Sequence, residues 1–110
     1  MSEQSNDGKP VTLINVFEIA SADLEAFVAQ WEERAALMRT KPGFRSFHLY
    51  RALSSDARFQ LVNVAEWDTE EDLRAATSDD RFQASVQASA SKFEITAHPG
   101  VYRTQIAATA

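Results

Sequence analysis

The order in which strand-type and helix-type runs alternate limits this chain more than any other feature. Val11 to Ile19 (VTLINVFEI) is rich in β-branched and aromatic residues, as strands are. Ser21 stands as the expected N-cap of a helix, with Asp23 and Glu25 in a first turn where the helix dipole favours acids. Leu24, Phe27, Val28, Trp31, Ala35 and Met38 then recur at helical spacing to an end near Arg39, and Pro42-Gly43 stops the helix. Phe44 to Leu53 and Phe59 to Trp67 form a second and a third strand, joined by the turn residues Ser54-Ser55-Asp56-Ala57. Thr69 opens a second helix with a Thr-x-x-Asp pattern, and Asp79-Asp80 marks a new N-terminus after a break near Thr77-Ser78. Phe93 to Ala97, and Val101 to Ile106 beyond Pro99-Gly100, complete the set as strand. This is β-α-β-β-α-β, the ferredoxin-like α+β arrangement of helices on one face of an antiparallel sheet.

At 110 residues the chain suits one domain, expected over residues 11–107, with residues 1–10 (MSEQSNDGKP) a disordered tail and the terminal AATA a frayed end. Hydrophobic residues at 45% and charged residues at 25% are ordinary for a globular protein. There is no apolar run long enough to span a membrane and no signal-peptide pattern, so a cytoplasmic protein without membrane contact is expected. The net charge of −5 argues against nucleic acid as a partner.

The strand faces add a constraint. Leu13, Asn15 and Phe17 share one face of the first strand, with Ile14 and Val16 on the other. Phe59, Leu61, Asn63, Ala65 and Trp67 share one face of the third, with Val62 and Val64 opposite. Two helices cover only one side of a sheet, so an apolar second side calls for another chain. A homodimer packed sheet to sheet is the expected outcome.

Most familiar site types are missing. Without cysteine there is no thiol nucleophile and no thiolate metal site. His48 and His98 lie on different strands, with no carboxylate neighbour evident, and match no metal-ligand spacing. Three glycines form no phosphate cradle, and no serine sits in a nucleophile elbow. Glu70-Glu71-Asp72 reads as a solvated first turn, and Trp31 as core. No cofactor and no metal are therefore expected. The unusual residues are Asn15 and Asn63, because asparagine is depleted in strands. Both share a face with Trp67, so two amides and an indole N–H converge toward the helix layer from adjacent central strands. From the pattern alone two readings stay open: a polar site, or amides that satisfy a bulge or each other above a core tryptophan.

With VTLINVFEI, KPGFRSFHLYR, ARFQLVNVAEW and AHPGVY in this order, the segment from Val11 to Gln105 resembles the antibiotic biosynthesis monooxygenase family of small dimeric α/β-barrel proteins. Its site residues are most similar to those of cofactor-independent anthrone oxygenases, which place an asparagine in the first strand and Asn-x-x-x-Trp in the third. The resemblance implies catalytic roles for Asn15, Asn63 and Trp67, with a small aromatic substrate and O2 as the reactants. Where some of these enzymes carry a tyrosine, this chain has Leu73, so that proton-handling group is lacking. Haem-degrading relatives need a helix histidine four residues after the position of Phe82, and here that position is Val86. Haem degradation and a non-catalytic dimer that binds a small molecule are the alternative functions.

Overall fold

The structure, a computed structural model, describes residues 8–110. The expected tail falls mostly on residues 1–7, outside the described residues; Gly8, Lys9 and Pro10 are exposed. Strand β1 (Val11–Ile19) leads through a single 3₁₀ turn (Ser21–Asp23) into helix α1 (Leu24–Met38). Strands β2 (Phe44–Arg51) and β3 (Leu61–Trp67) follow, then helices α2 (Glu70–Thr77) and α3 (Asp80–Lys92), and finally strand β4 (Ile95–Tyr102). The four strands form one antiparallel sheet in the order β2-β3-β1-β4, which is the ferredoxin-like α+β topology. Among the described residues no helix is long and apolar enough to cross a membrane.

Two buried clusters fill the space between sheet and helices. One gathers Phe17, Leu24, Phe27, Trp31 and Phe93, with Phe27 edge-on to Phe93 at 5.9 Å. The other gathers Val11, Met38, Ala65, Trp67, Leu73 and Ala76. Both draw on the strand parity of Phe17, Leu61, Ala65 and Trp67. The opposite parity pairs Ile14 with Val64 and Val16 with Val62, and leaves all four half-buried on the far side of the sheet.

Local chemistry explains most boundaries. The Thr69 hydroxyl accepts from the Asp72 N–H at 3.0 Å and starts α2. Gly43, at φ 85°, makes the left-handed turn between α1 and β2; a Cβ there would collide with the Asp72 side chain. Ser21, the expected cap of the first helix, does not serve: it lies inside the 3₁₀ turn, and neither this turn nor α1 has a side-chain cap. The third strand begins at Leu61 rather than Phe59, because the buried Gln60 amide donates to Ser54 O and Ala57 O and ties residues 54–60 into a loop. The last strand, expected in two pieces, runs unbroken through Pro99-Gly100. Lying at the sheet edge, β4 needs only alternate N–H groups for its one neighbour, so a proline is tolerated.

Asp79 ties α3 to the α1–β2 turn. Its carboxylate accepts from the Arg81 N–H at 2.7 Å and the Phe82 N–H at 3.3 Å, capping α3, and it pairs with Lys41 from the α1–β2 turn. The Lys41 ammonium holds the Asp79 carboxyl well below the usual carboxylate range. A depressed folded-state pKa means that the contribution is full above the unfolded value of about 3.9 and fades as pH falls toward the folded one. Asp79→Ala is therefore expected to lower the melting temperature at neutral pH. Melts run from neutral to acid should show the gap to the native chain narrowing once pH drops below about 4; a gap independent of pH would disprove the role of this ion pair.

Candidate functional site

Between the sheet and the three helices lies a cavity of about 550 Å³, counting its open mouth. Its walls are mostly apolar: Leu13, Phe44 and Phe47 from the sheet, Met38 from α1, Leu73 from α2 and Phe82 from α3. Into this apolar space the structure brings Asn15, Asn63 and Trp67 together. The pairing of β1 with β3 does the positioning. Asn15 faces Asn63 directly across the ladder, and Val11 faces Trp67 four residues away along it. With a two-residue side-chain period, a single register places all three on the helix side of the sheet. Phe44 packs edge-on against Trp67 at 5.4 Å and fixes the indole plane.

The electrostatics of this floor are unusual. Asn15 Oδ1, Asn63 Oδ1 and Trp67 Nε1 are all occluded and have no hydrogen-bond partner. These amides therefore do not satisfy a bulge or each other through their oxygens, which was one of the two readings of the pattern. A buried polar group without a partner costs about 1–3 kcal/mol, and three of them around one cavity form a concentrated cost. The indole is a donor only. Each amide offers an acceptor and two donors, and a half-turn about χ2 exchanges them in place. As they stand these atoms are occluded, so a hydroxyl or an oxyanion meets them only after neighbouring side chains shift.

Other candidates are distributed as follows. Trp31 is buried in the core and also lines the cavity, edge-on to Phe47 at 5.1 Å. His48 and His98 lie on the far side of the sheet and do not reach the cavity. His98, expected to lack a carboxylate neighbour, has one: its Nε2 lies 2.7 Å from Glu18 Oε2. Only the pairing of β4 with β1, which sets His98 opposite Val16, brings the two together. Glu18 also accepts from Arg58, and that bond, followed by the one to His98, lowers its pKa. Val86, at the position of the haem-ligating histidine, is exposed on α3. Among the described residues no three His, Asp or Glu side chains converge in a metal-holding cluster.

One cavity residue escaped the sequence analysis. Arg34 lies on the apolar stripe of α1, three residues after Trp31 and four before Met38, and is buried with 9% exposure. Its Nε donates to Ser85 Oγ at 3.1 Å, and its Nη2 donates to Ser85 O at 3.0 Å and Ser89 Oγ at 2.7 Å. Ser89 in turn donates to Gln30 Oε1 at 3.0 Å. Burial pushes the guanidinium pKa down, although an arginine side chain stays charged in proteins. The signal was present in the sequence: the stripe's three-and-four spacing turns position 34 inward.

A small ferredoxin-like domain with an apolar cavity between sheet and helices, floored by unpaired amide and indole groups, defines the class. The chain belongs to the antibiotic biosynthesis monooxygenase family, whose sequence profile matches residues 10–88. A candidate monooxygenase from Shewanella loihica PV-4 is 33% identical, with a TM-score of 0.74 over 90% of this chain and 97% of that one. SnoaB, a cofactor-independent oxygenase from Streptomyces nogalater, is 25% identical, with a TM-score of 0.77 over 90% of this chain and 96% of that one. Rv0793 from Mycobacterium tuberculosis shares the fold at 19% identity, with a TM-score of 0.73 over 92% and 100% of the two chains. No curated protein matches the chain.

Proposed function

We propose that this chain is a cofactor-independent oxygenase that oxidises an electron-rich, anthrone- or quinol-like aromatic with O2. The observation that carries the reading is the set of three occluded, unpaired polar atoms of Asn15, Asn63 and Trp67 around one otherwise apolar cavity. Family membership supports it, as does the likeness to SnoaB, which is described as a cofactor-independent oxygenase.

Triplet oxygen reacts slowly with closed-shell molecules, but a deprotonated anthrone or quinol is itself a good one-electron donor. For an anthrone, the substrate loses a proton to solvent and becomes a delocalised anion. One electron passes to O2, and the substrate radical and superoxide recombine in a C–O bond. Protonation gives a hydroperoxide; its O–O bond then breaks as the second C–H proton leaves, releasing water and a carbonyl. A CH2 and one O2 become C=O and H2O, with every electron drawn from the substrate.

The protein's part is to hold the aromatic in a water-poor slot and to aim donors at the oxygen where negative charge collects. Trp67 Nε1–H and the Asn15 and Asn63 amides serve as those donors. None of the three titrates near neutrality, so they stabilise charge rather than take protons. In the unliganded chain their lack of partners opposes folding, and binding of substrate relieves it.

The active form in this reading is a homodimer, in the cytoplasm, because Ile14, Val16, Val62 and Val64 need a cover that the single helix layer of one chain does not supply. Sedimentation at micromolar concentration should give twice the chain mass; a single-chain mass would refute the sheet-to-sheet dimer.

The catalytic part is tested with an oxygen electrode. Protein freed of flavin and treated with chelator should consume O2 with an anthrone, whereas binding without uptake would point to a non-catalytic binder. Asn63→Ala should lower turnover by about 10²–10³-fold, the usual loss for an oxyanion donor, with little change in melting temperature. A variant of native turnover would dismiss the role, and parallel loss of activity and stability would assign Asn63 to holding β3 in place.

A further inference from the structure

Arg34 presents a second polar feature, on the wall opposite the amide floor. Buried charges are ordinarily paired with an opposite charge, because removing an ion from water is costly. Arg34 is nine-tenths buried, yet its acceptors are all neutral: a serine carbonyl and two serine hydroxyls. No ion pair joins it to a carboxylate among the described residues.

A guanidinium has five N–H donors in a fixed plane. Three are committed, one on Nε and two on Nη2. The two on Nη1 meet no protein acceptor among the described residues, and Nη1 is absent from the atoms that are both occluded and unpaired. It therefore remains reachable. Ser85 and Ser89 fix the plane from α3, and the Gln30 amide orients Ser89 from α1. Phe82, with its ring centroid 6.0 Å from the guanidinium carbon, flanks the charge from a cavity-lining position. The group is thus held rigid, charged and partly uncommitted beside an apolar, aromatic space.

We propose that Arg34 is the binding site for a carboxylate on the aromatic ligand, so that the cavity selects aromatic acids over neutral aromatics of the same shape. The carboxylate lies against the helix-side guanidinium while the ring carrying the reacting oxygen lies over Asn15, Asn63 and Trp67 on the sheet side. A ligand so held spans the cavity from helix layer to sheet and is fixed at both ends. The net charge of −5 makes such selection depend on a local cation rather than on the field of the whole chain. This inference rests on the reading of the cavity as an aromatic-substrate site.

The test is an anaerobic fluorescence titration of the full chain with anthracene-9-carboxylate and its uncharged isostere anthracene-9-carboxamide. The native chain should bind the carboxylate about 10- to 100-fold more tightly, the usual worth of a charge-assisted hydrogen bond. Arg34→Met should erase that ratio while leaving carboxamide affinity within about threefold, well under a tenfold step. A purely structural clamp between α1 and α3 would not move the ratio. Equal binding by the native chain, equal loss of both ligands in Arg34→Met, or binding of neither would overturn the proposal. Should Arg34→Met fail to fold, Arg34→Lys takes its place. A single ammonium cannot hold Ser85, Ser89 and a carboxylate at once, so the ratio should narrow; an unchanged ratio overturns the proposal. No turnover is needed. Preference for the acid without oxygen uptake would sink the oxygenase reading alone, and oxygen uptake without the preference would sink this one alone.

Discussion

The pairing of β1 with β3 is the constraint on which everything else depends. These are the two central strands, and their register sets Asn15 against Asn63, Leu13 against Ala65 and Val11 against Trp67. A slip of one residue would turn either strand inside out. The amides and the indole would then face away from the helices, and Ile14 or Val62 would enter the core. The alternation that builds the hydrophobic core therefore also builds the floor of the cavity. Stability and site geometry are specified by one pattern.

That floor opposes the stability it belongs to. Leucine or valine at positions 15 and 63 would continue the apolar alternation and leave no orphaned amide. Instead the chain buries three unpaired polar atoms and, across the cavity, a guanidinium bonded only to neutral oxygens. The remaining structure is correspondingly well determined around them: Phe44 sets the indole, Ser85 and Ser89 set the guanidinium, and Asp79 locks α3 to the α1–β2 turn.

Much of this was legible in the sequence, for a physical reason. Strand parity is strictly two, so Asn15, Asn63 and Trp67 could be assigned to one face without knowledge of any contact. The Thr69 and Asp79 caps were readable because capping is local chemistry. What escaped depends on tertiary partners. The neighbour of His98 is Glu18, eighty residues away in the chain, and only the pairing of an edge strand reveals it. Pro99-Gly100 reads as a break in the last strand because nothing in the sequence marks that strand as an edge. The spacing of the α1 stripe turns Arg34 inward, but that its charge is enclosed and bonded to Ser85 and Ser89 depends on α3 packing over it.

In the proposed function the cavity floor meets an oxygen of an aromatic ligand through Trp67 and the two amides. The indole N–H reports this directly. The chain has two tryptophans, so two indole signals are expected in a ¹H–¹⁵N spectrum, and Trp67→Phe identifies the relevant one. On titration with 1,8-dihydroxyanthraquinone, an unreactive oxidised analogue, the Trp67 indole proton should move downfield as it gains an acceptor. Saturable binding of that ligand with the Trp67 indole signal unmoved would rule out this contact.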